Sequence, residues 1–108
     1  MKKILIVSSR KITSAETIEE LESFFKKFIV VHLFLEEKKE EIPEDISGVV
    51  FNADTDSMEI DRIKEKMPKD IPKVRIYSSF WGYDQIPDVK VRQTKEEASL
   101  FIEGELLN

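Results

Sequence analysis

The 108-residue chain has no cysteine, which removes disulfides, thiolate metal sites and a cysteine nucleophile together. Histidine occurs once, at position 32, in the middle of the apolar run 29–35. A general base belongs near a strand end, and no second His or Cys is present to share a metal, so His32 reads as structural. No Ser-His-Asp set forms either, because the serines at 8, 9, 78 and 79 fall at strand ends while His32 falls mid-strand. Glycine is scarce, with three in all and none between Met1 and Ile46. The first strand therefore carries neither a G-x-G-x-x-G turn nor a Walker-type loop. The N-terminal apolar run is too short for a signal peptide or a membrane span, so the expectation is a cytoplasmic chain with no membrane partner. Positive charge is not in excess: the net charge is -5 and the pI about 5.0, which argues against nucleic acid as a partner. Asparagine (52, 108) and glutamine (85, 93) occur twice each in a chain that is 36% charged, a composition of the thermophile kind.

What is present is strong periodicity. At this length the chain reads as a single domain, 1–108, able to bury a core without staples. Lys3-Ile4-Leu5-Ile6-Val7-Ser8-Ser9 is apolar without alternation, as in a parallel strand covered on both faces. Thr13-Ser14-Ala15-Glu16 has the form of a capping box. Ile18, Leu21, Phe25 and Phe28 then predict an amphipathic helix of about four turns. Residues 29–35 are the second strand, reached by a crossover. The stretch 36–48 holds the charge run Glu36–Glu41 and Pro43, and reads as a solvated segment with room for a short helix ahead of the proline. Val49-Val50-Phe51 is the third strand, and Asp56 caps a helix over 57–67 that turns Ile60, Ile63 and Met67 inward. Residues 73–77 alternate, so a half-covered fourth strand is expected. Residues 78–88 show no helical period. Residues 89–92 make a short charged edge strand, and Thr94-Lys95-Glu96-Glu97 opens a last helix burying Ala98, Phe101, Ile102 and Leu106.

The order βαβ(α)βαββα predicts an α/β three-layer sandwich with a five-stranded, mostly parallel sheet in the order 2-1-3-4-5, with 3-2-1-4-5 as the alternative. Right-handed crossovers set the first and last helices on one face. The opposite face, at strands four and five, then has thin cover. Arg75 and Tyr77 share one side of strand four, and Lys90 and Arg92 one side of strand five. Two readings follow: this patch, with Phe80, Trp81 and Tyr83, meets a partner or a second copy, or the 78–88 loop folds back and plugs the gap. Leu100 and Leu107, seven apart on the last helix, are a further exposed apolar pair.

Ligands of open α/β sheets bind beyond the carboxyl ends of the strands. Those ends gather Ser8, Ser9, Arg10 and Lys11, then Asn52, Asp54 and Asp56, then Ser78 and Ser79 with Trp81 following. Hydroxyls, a cation and helix N-termini suit a phosphate or carboxylate, and Asp54 with Asp56 suits Mg²⁺. Alternatively these are ordinary polar strand-end loops, with Asp and Ser acting as caps.

The layout resembles the receiver domains of response regulators, with a short first strand entering a turn, a third strand ending at an acidic site, and a fourth ending in a hydroxyl. By position, Ser8-Ser9 stand where that family has its metal-binding acidic pair and Asn52 where it has the phosphorylated aspartate. Ser78 or Ser79 takes the place of its hydroxyl, and Arg92 or Gln93 lies near its lysine. The resemblance implies a degenerate receiver, which acts by binding rather than phosphotransfer. The chain also resembles flavodoxins: the hydroxyl-rich 8–17 stretch is similar to their phosphate loop and Ser79-Phe80-Trp81-Gly82-Tyr83 to their tryptophan-bearing flavin loop. Here the phosphate loop lacks its glycine and the Trp-Gly segment follows the fourth strand rather than the third. The reading is therefore a small non-enzymatic, receiver-like α/β module with no expected cofactor, which works through a protein partner or as a homodimer. The competing class binds or acts on a phosphorylated small molecule, flavin or nucleotide at the strand ends, with flavin or Mg²⁺ as its cofactor.

Overall fold

The computed structural model describes residues 1–12, 14–37, 39–79 and 85–108. Its centre is β1 (Lys3–Ser8), whose residues from Ile4 to Ser8 are all buried. β2 (Ile29–Phe34) pairs with one side of β1 and β3 (Ile46–Phe51) with the other, both parallel. β4 (Lys73–Ile76) adds beside β3, and β5 (Lys90–Arg92) beside β4, again parallel. The resulting five-stranded order is 2-1-3-4-5, the flavodoxin-like arrangement; the alternative 3-2-1-4-5 is excluded. No described helix is long and apolar enough to cross a membrane.

Strand side chains alternate between faces, and that splits the core in two. Ile4, Ile6, Val50, Val74 and Ile76 point toward α1 (Ala15–Ser23) and α3 (Lys95–Leu106), meeting Leu21, Phe25, Phe28, Ala98 and Ile102. Leu5, Val7, Leu33, Val49 and Phe51 point the other way, onto Ile60 and Ile63 of α2 (Ser57–Lys64) and onto Met67. Glycine at 48 matters for this packing: a Cβ there would stand 3.2 Å from Leu106 Cδ1 and 3.4 Å from Ile102 Cδ1, so α3 lies close over β3.

Local differences from the sequence reading have physical causes. The cap of α1 is Ser14, whose Oγ accepts from Thr17 N at 3.4 Å; Thr13 lies outside the described residues. α1 stops at Ser23, short of four turns. Bonds of the i→i−3 kind, Phe25 N to Glu22 O at 2.9 Å and Phe28 N to Phe25 O at 3.1 Å, tighten the chain and still deliver both phenylalanines to the core. The described residues between β2 and β3 hold no helix. That crossover is an extended strap, tied to α2 through Glu40, whose carboxylate accepts from Arg62 Nη1 and Nη2 (2.8 Å each) and Lys66 Nζ (2.9 Å). Glu40 is thus partly covered and paired, unlike the free surface charge the run of glutamates suggested.

The half-covered fourth strand is also corrected, since all four residues of β4 are buried. Lys73 reaches back to donate to the carbonyls of Pro68 (2.9 Å), Ile71 (3.3 Å) and Lys69 (3.4 Å), and burial pushes its ammonium below the usual lysine range. Arg75, 1% exposed, donates through Nη1 to Ser57 Oγ at 2.8 Å. Ile86 and Val89 pack into the same core cluster as Ile60 and Ile63, so the end of the 78–88 loop folds back over this face. Its aromatic residues Phe80, Trp81 and Tyr83 lie outside the described residues. The turn that follows, at residues 86–89, has Pro87 second and Asp88 third, closed by Val89 N to Ile86 O at 3.1 Å, with Asp88 at φ 68°. That is the type II pattern, whose third position favours glycine.

Candidate functional site

β1 and β3 end side by side, and their terminal residues are stitched together. Asn52 N donates to Val7 O at 2.8 Å, and Asn52 Nδ2 donates to Ser8 Oγ at 3.2 Å. Its Oδ1 accepts from Ala53 N at 2.9 Å. Fully buried Thr55 donates through Oγ1 to Val7 O at 3.2 Å. Asn52 therefore spends its amide on holding the two strand ends in register.

The next loop decides what the crevice offers. Successive backbone N–H groups in a turn can bind an anion where they converge, and the turn after β1 presents three successive amides. Ser9 N donates to Asp54 Oδ1 at 3.2 Å, Arg10 N to Asp54 Oδ2 at 3.3 Å, and Lys11 N to Glu36 Oε1. All three end on the chain's own carboxylates. A second contact holds the same turn, Lys11 Nζ lying 3.5 Å from Glu37 Oε1. The helix starts are likewise filled from within: Ser14 caps α1, and Asp56 caps α2, with Oδ1 accepting from Met58 N at 2.7 Å.

The structure thus brings Ser8, Ser9, Arg10, Asn52 and Asp54 into one cluster. Ser78, half-buried, and Ser79, exposed, follow β4, which lies beside β3; Trp81 lies outside the described residues. Asp54 and Asp56 are committed to different amides, and no group of three or more His, Asp or Glu side chains among the described residues is arranged to hold a metal ion. Two sizeable cavities lie away from these loops. One of about 680 Å³ opens at the amino ends of β4 and β5, between Lys73, Lys90, Asp88 and Phe101. The other, about 690 Å³, runs along β2.

Of the proposed contact residues, Arg75 is buried and so does not line an accessible surface. Tyr77 is half-buried, its N donating to Arg92 O at 2.7 Å, and Tyr83 lies outside the described residues. Leu100 and Leu107 are exposed as the helical spacing implies, at 59% and 46%. His32 lies 3.1 Å from Glu22 Oε1 through Nε2 and stacks on Phe34 with ring centroids 5.9 Å apart, a packing role. Sequence reasoning missed the plugging of the turn by Asp54 and the Glu40 network. The first had a visible signal, a carboxylate three residues past the end of β3 that sits next to a glycine-free turn. Glu40 had none, because its partners are 22 and 26 residues away.

No protein family, curated protein or solved structure matches the chain.

Proposed function

We propose that this chain is a small non-enzymatic α/β module that works through protein contacts, its strand-end crevice serving as structure. The observation that carries this reading is the self-filled turn: the amides of Ser9, Arg10 and Lys11 are all taken by Asp54 and Glu36. A phosphate or flavin phosphate entering there would have to displace two carboxylates and face their negative charge. Asn52 and Ser8 at the acidic positions of a receiver support binding rather than phosphotransfer. Leu100 on α3 and Leu107 at its C-cap supply exposed apolar contact points.

Native mass spectrometry of the purified chain tests the reading. The expected spectrum holds the 12.6 kDa chain, or an integral multiple of it, with no added flavin or nucleotide. Added mass of either kind, lost on substituting Ser9 or Arg10 by alanine, would overturn it in favour of a crevice ligand.

A further inference from the structure

A module that works through contacts needs a partner, and the open edge of β2 specifies one; this inference rests on the contact reading. Ile29 N donates to Lys2 O and Leu35 N to Ser8 O, both at 2.9 Å, so odd-numbered residues of β2 direct their backbone groups to β1. In a strand the alternate residues direct theirs the opposite way, and Val30, His32 and Phe34 therefore turn N–H and C=O outward. Among the described residues, the backbone bond made on that side comes from Glu37 N to Phe34 O at 3.1 Å.

Edge strands are normally protected by shortness, charge, proline or a bulge. β5 follows that pattern, with three residues of which two are Lys90 and Arg92. β2 does not. It is six residues, Ile-Val-Val-His-Leu-Phe, without proline or a carboxylate, lysine or arginine, and it keeps unbroken register with β1. Ile29 at its start is 45% exposed. Between β2 and the described strap residues lies the 690 Å³ cavity, lined by residues 31–34 on one side and by Glu37, Lys39, Glu41, Ile42, Pro43 and Glu44 on the other. Space beside the strand is therefore open.

We infer that the occupant of this edge is a second copy of the chain, pairing β2 with β2 antiparallel about a two-fold axis at His32. Charge sets the direction. Lys26 and Lys27 precede β2, while Glu36 and Glu37 follow it. Antiparallel pairing brings the basic end of one copy to the acidic end of the other, with Lys27 nearest Glu37; parallel pairing would oppose like charges. The two-fold places Val30 of one copy opposite Phe34 of the other and exchanges about six interchain backbone bonds, two of them onto the Phe34 carbonyls that Glu37 N also engages, doubling the five-stranded sheet. Lys27 now lies 3.6 Å from Glu103 and Glu37 3.5 Å from Lys11, both in exposed pairs that re-form at little cost. A closed two-fold contact also removes the hazard of an open apolar edge.

Sedimentation equilibrium of the full chain, with residue-resolved amide exchange, tests this. The expected result is a dimer of twice the 12.6 kDa chain, in which exchange at Val30, His32 and Phe34 slows as concentration rises. Lys27→Glu or Glu37→Lys alone should weaken the dimer roughly tenfold, and the two together should restore it. Val30→Pro removes one outward N–H without touching the bonds to β1, and should abolish the dimer. A monomer up to about 1 mM overturns the inference. So does a dimer that survives Val30→Pro and the charge reversals but dissociates on Leu100→Glu; that result would move the contact to α3 and leave the contact reading standing. Flavin or nucleotide mass on the chain would instead sink the contact reading itself.

Discussion

Glu40→Gln is the substitution that best probes how the strap between β2 and β3 is held. The strap's described residues hold no helix, and Glu40 is its tether to Arg62 and Lys66, taking both Arg62 nitrogens at 2.8 Å and Lys66 at 2.9 Å. Those two cations hold its carboxyl at about 2, well under the ordinary 4.5, and the carboxylate in turn raises the Arg62 guanidinium. A bidentate charge-assisted pair with partly exposed partners contributes about 1–2 kcal/mol, and the arginine keeps Glu59 at 2.7 Å after the change. For a domain of this size that loss lowers the urea midpoint by roughly 1 M. The sign with pH follows from the depressed carboxyl. The contribution is complete above pH 4.5 and is lost as pH falls through about 2. Urea unfolding of both chains at pH 7, 4 and 2.5 should show a gap that narrows on acidification. An equal midpoint at pH 7, or a gap that stays constant down to pH 2.5, would refute the tether.

Other substitutions probe the remaining links. Ile63→Ala removes a fully buried side chain from the one helix among the described residues on its face, and should cost about 2–5 kcal/mol by chemical denaturation; a loss under about 1 kcal/mol would mean that face is not tightly packed. Asp88→Gly relieves the left-handed backbone at φ 68° and should stabilise by about 1 kcal/mol, read as a higher midpoint. Gly48→Val pushes branched atoms toward Leu106 and Ile102, and should destabilise by about 1–3 kcal/mol; an unchanged midpoint would show that α3 can lift without cost.

Much of the fold was legible because burial is written into the strands. The unbroken apolar run of β1 and the β-branched run of β2 fixed a parallel sheet, and the capping signals at Asp56 and Thr94 located two helices. What escaped were features made by distant partners. Lys73 and Arg75 look like the solvent side of an alternating strand, yet inside the protein Lys73 donates to the carbonyls of residues 68, 69 and 71 and Arg75 Nη1 to the Ser57 hydroxyl. The polar residues at the ends of β1 and β3 do come together, but composition alone does not distinguish a serine–aspartate cluster that awaits a ligand from one that has satisfied itself. That difference lies in where the Asp54 carboxylate points.

The account therefore turns on the turn after β1, and amide NMR with added inorganic phosphate addresses it directly. In the native chain the Ser9 and Arg10 amide resonances should not move, because Asp54 occupies both at 3.2 and 3.3 Å. Asp54→Ala should free them, so that phosphate shifts the same two signals with millimolar affinity. Saturable shifts of Ser9 and Arg10 in the native chain would contradict the account, and would mean that the crevice yields to a ligand.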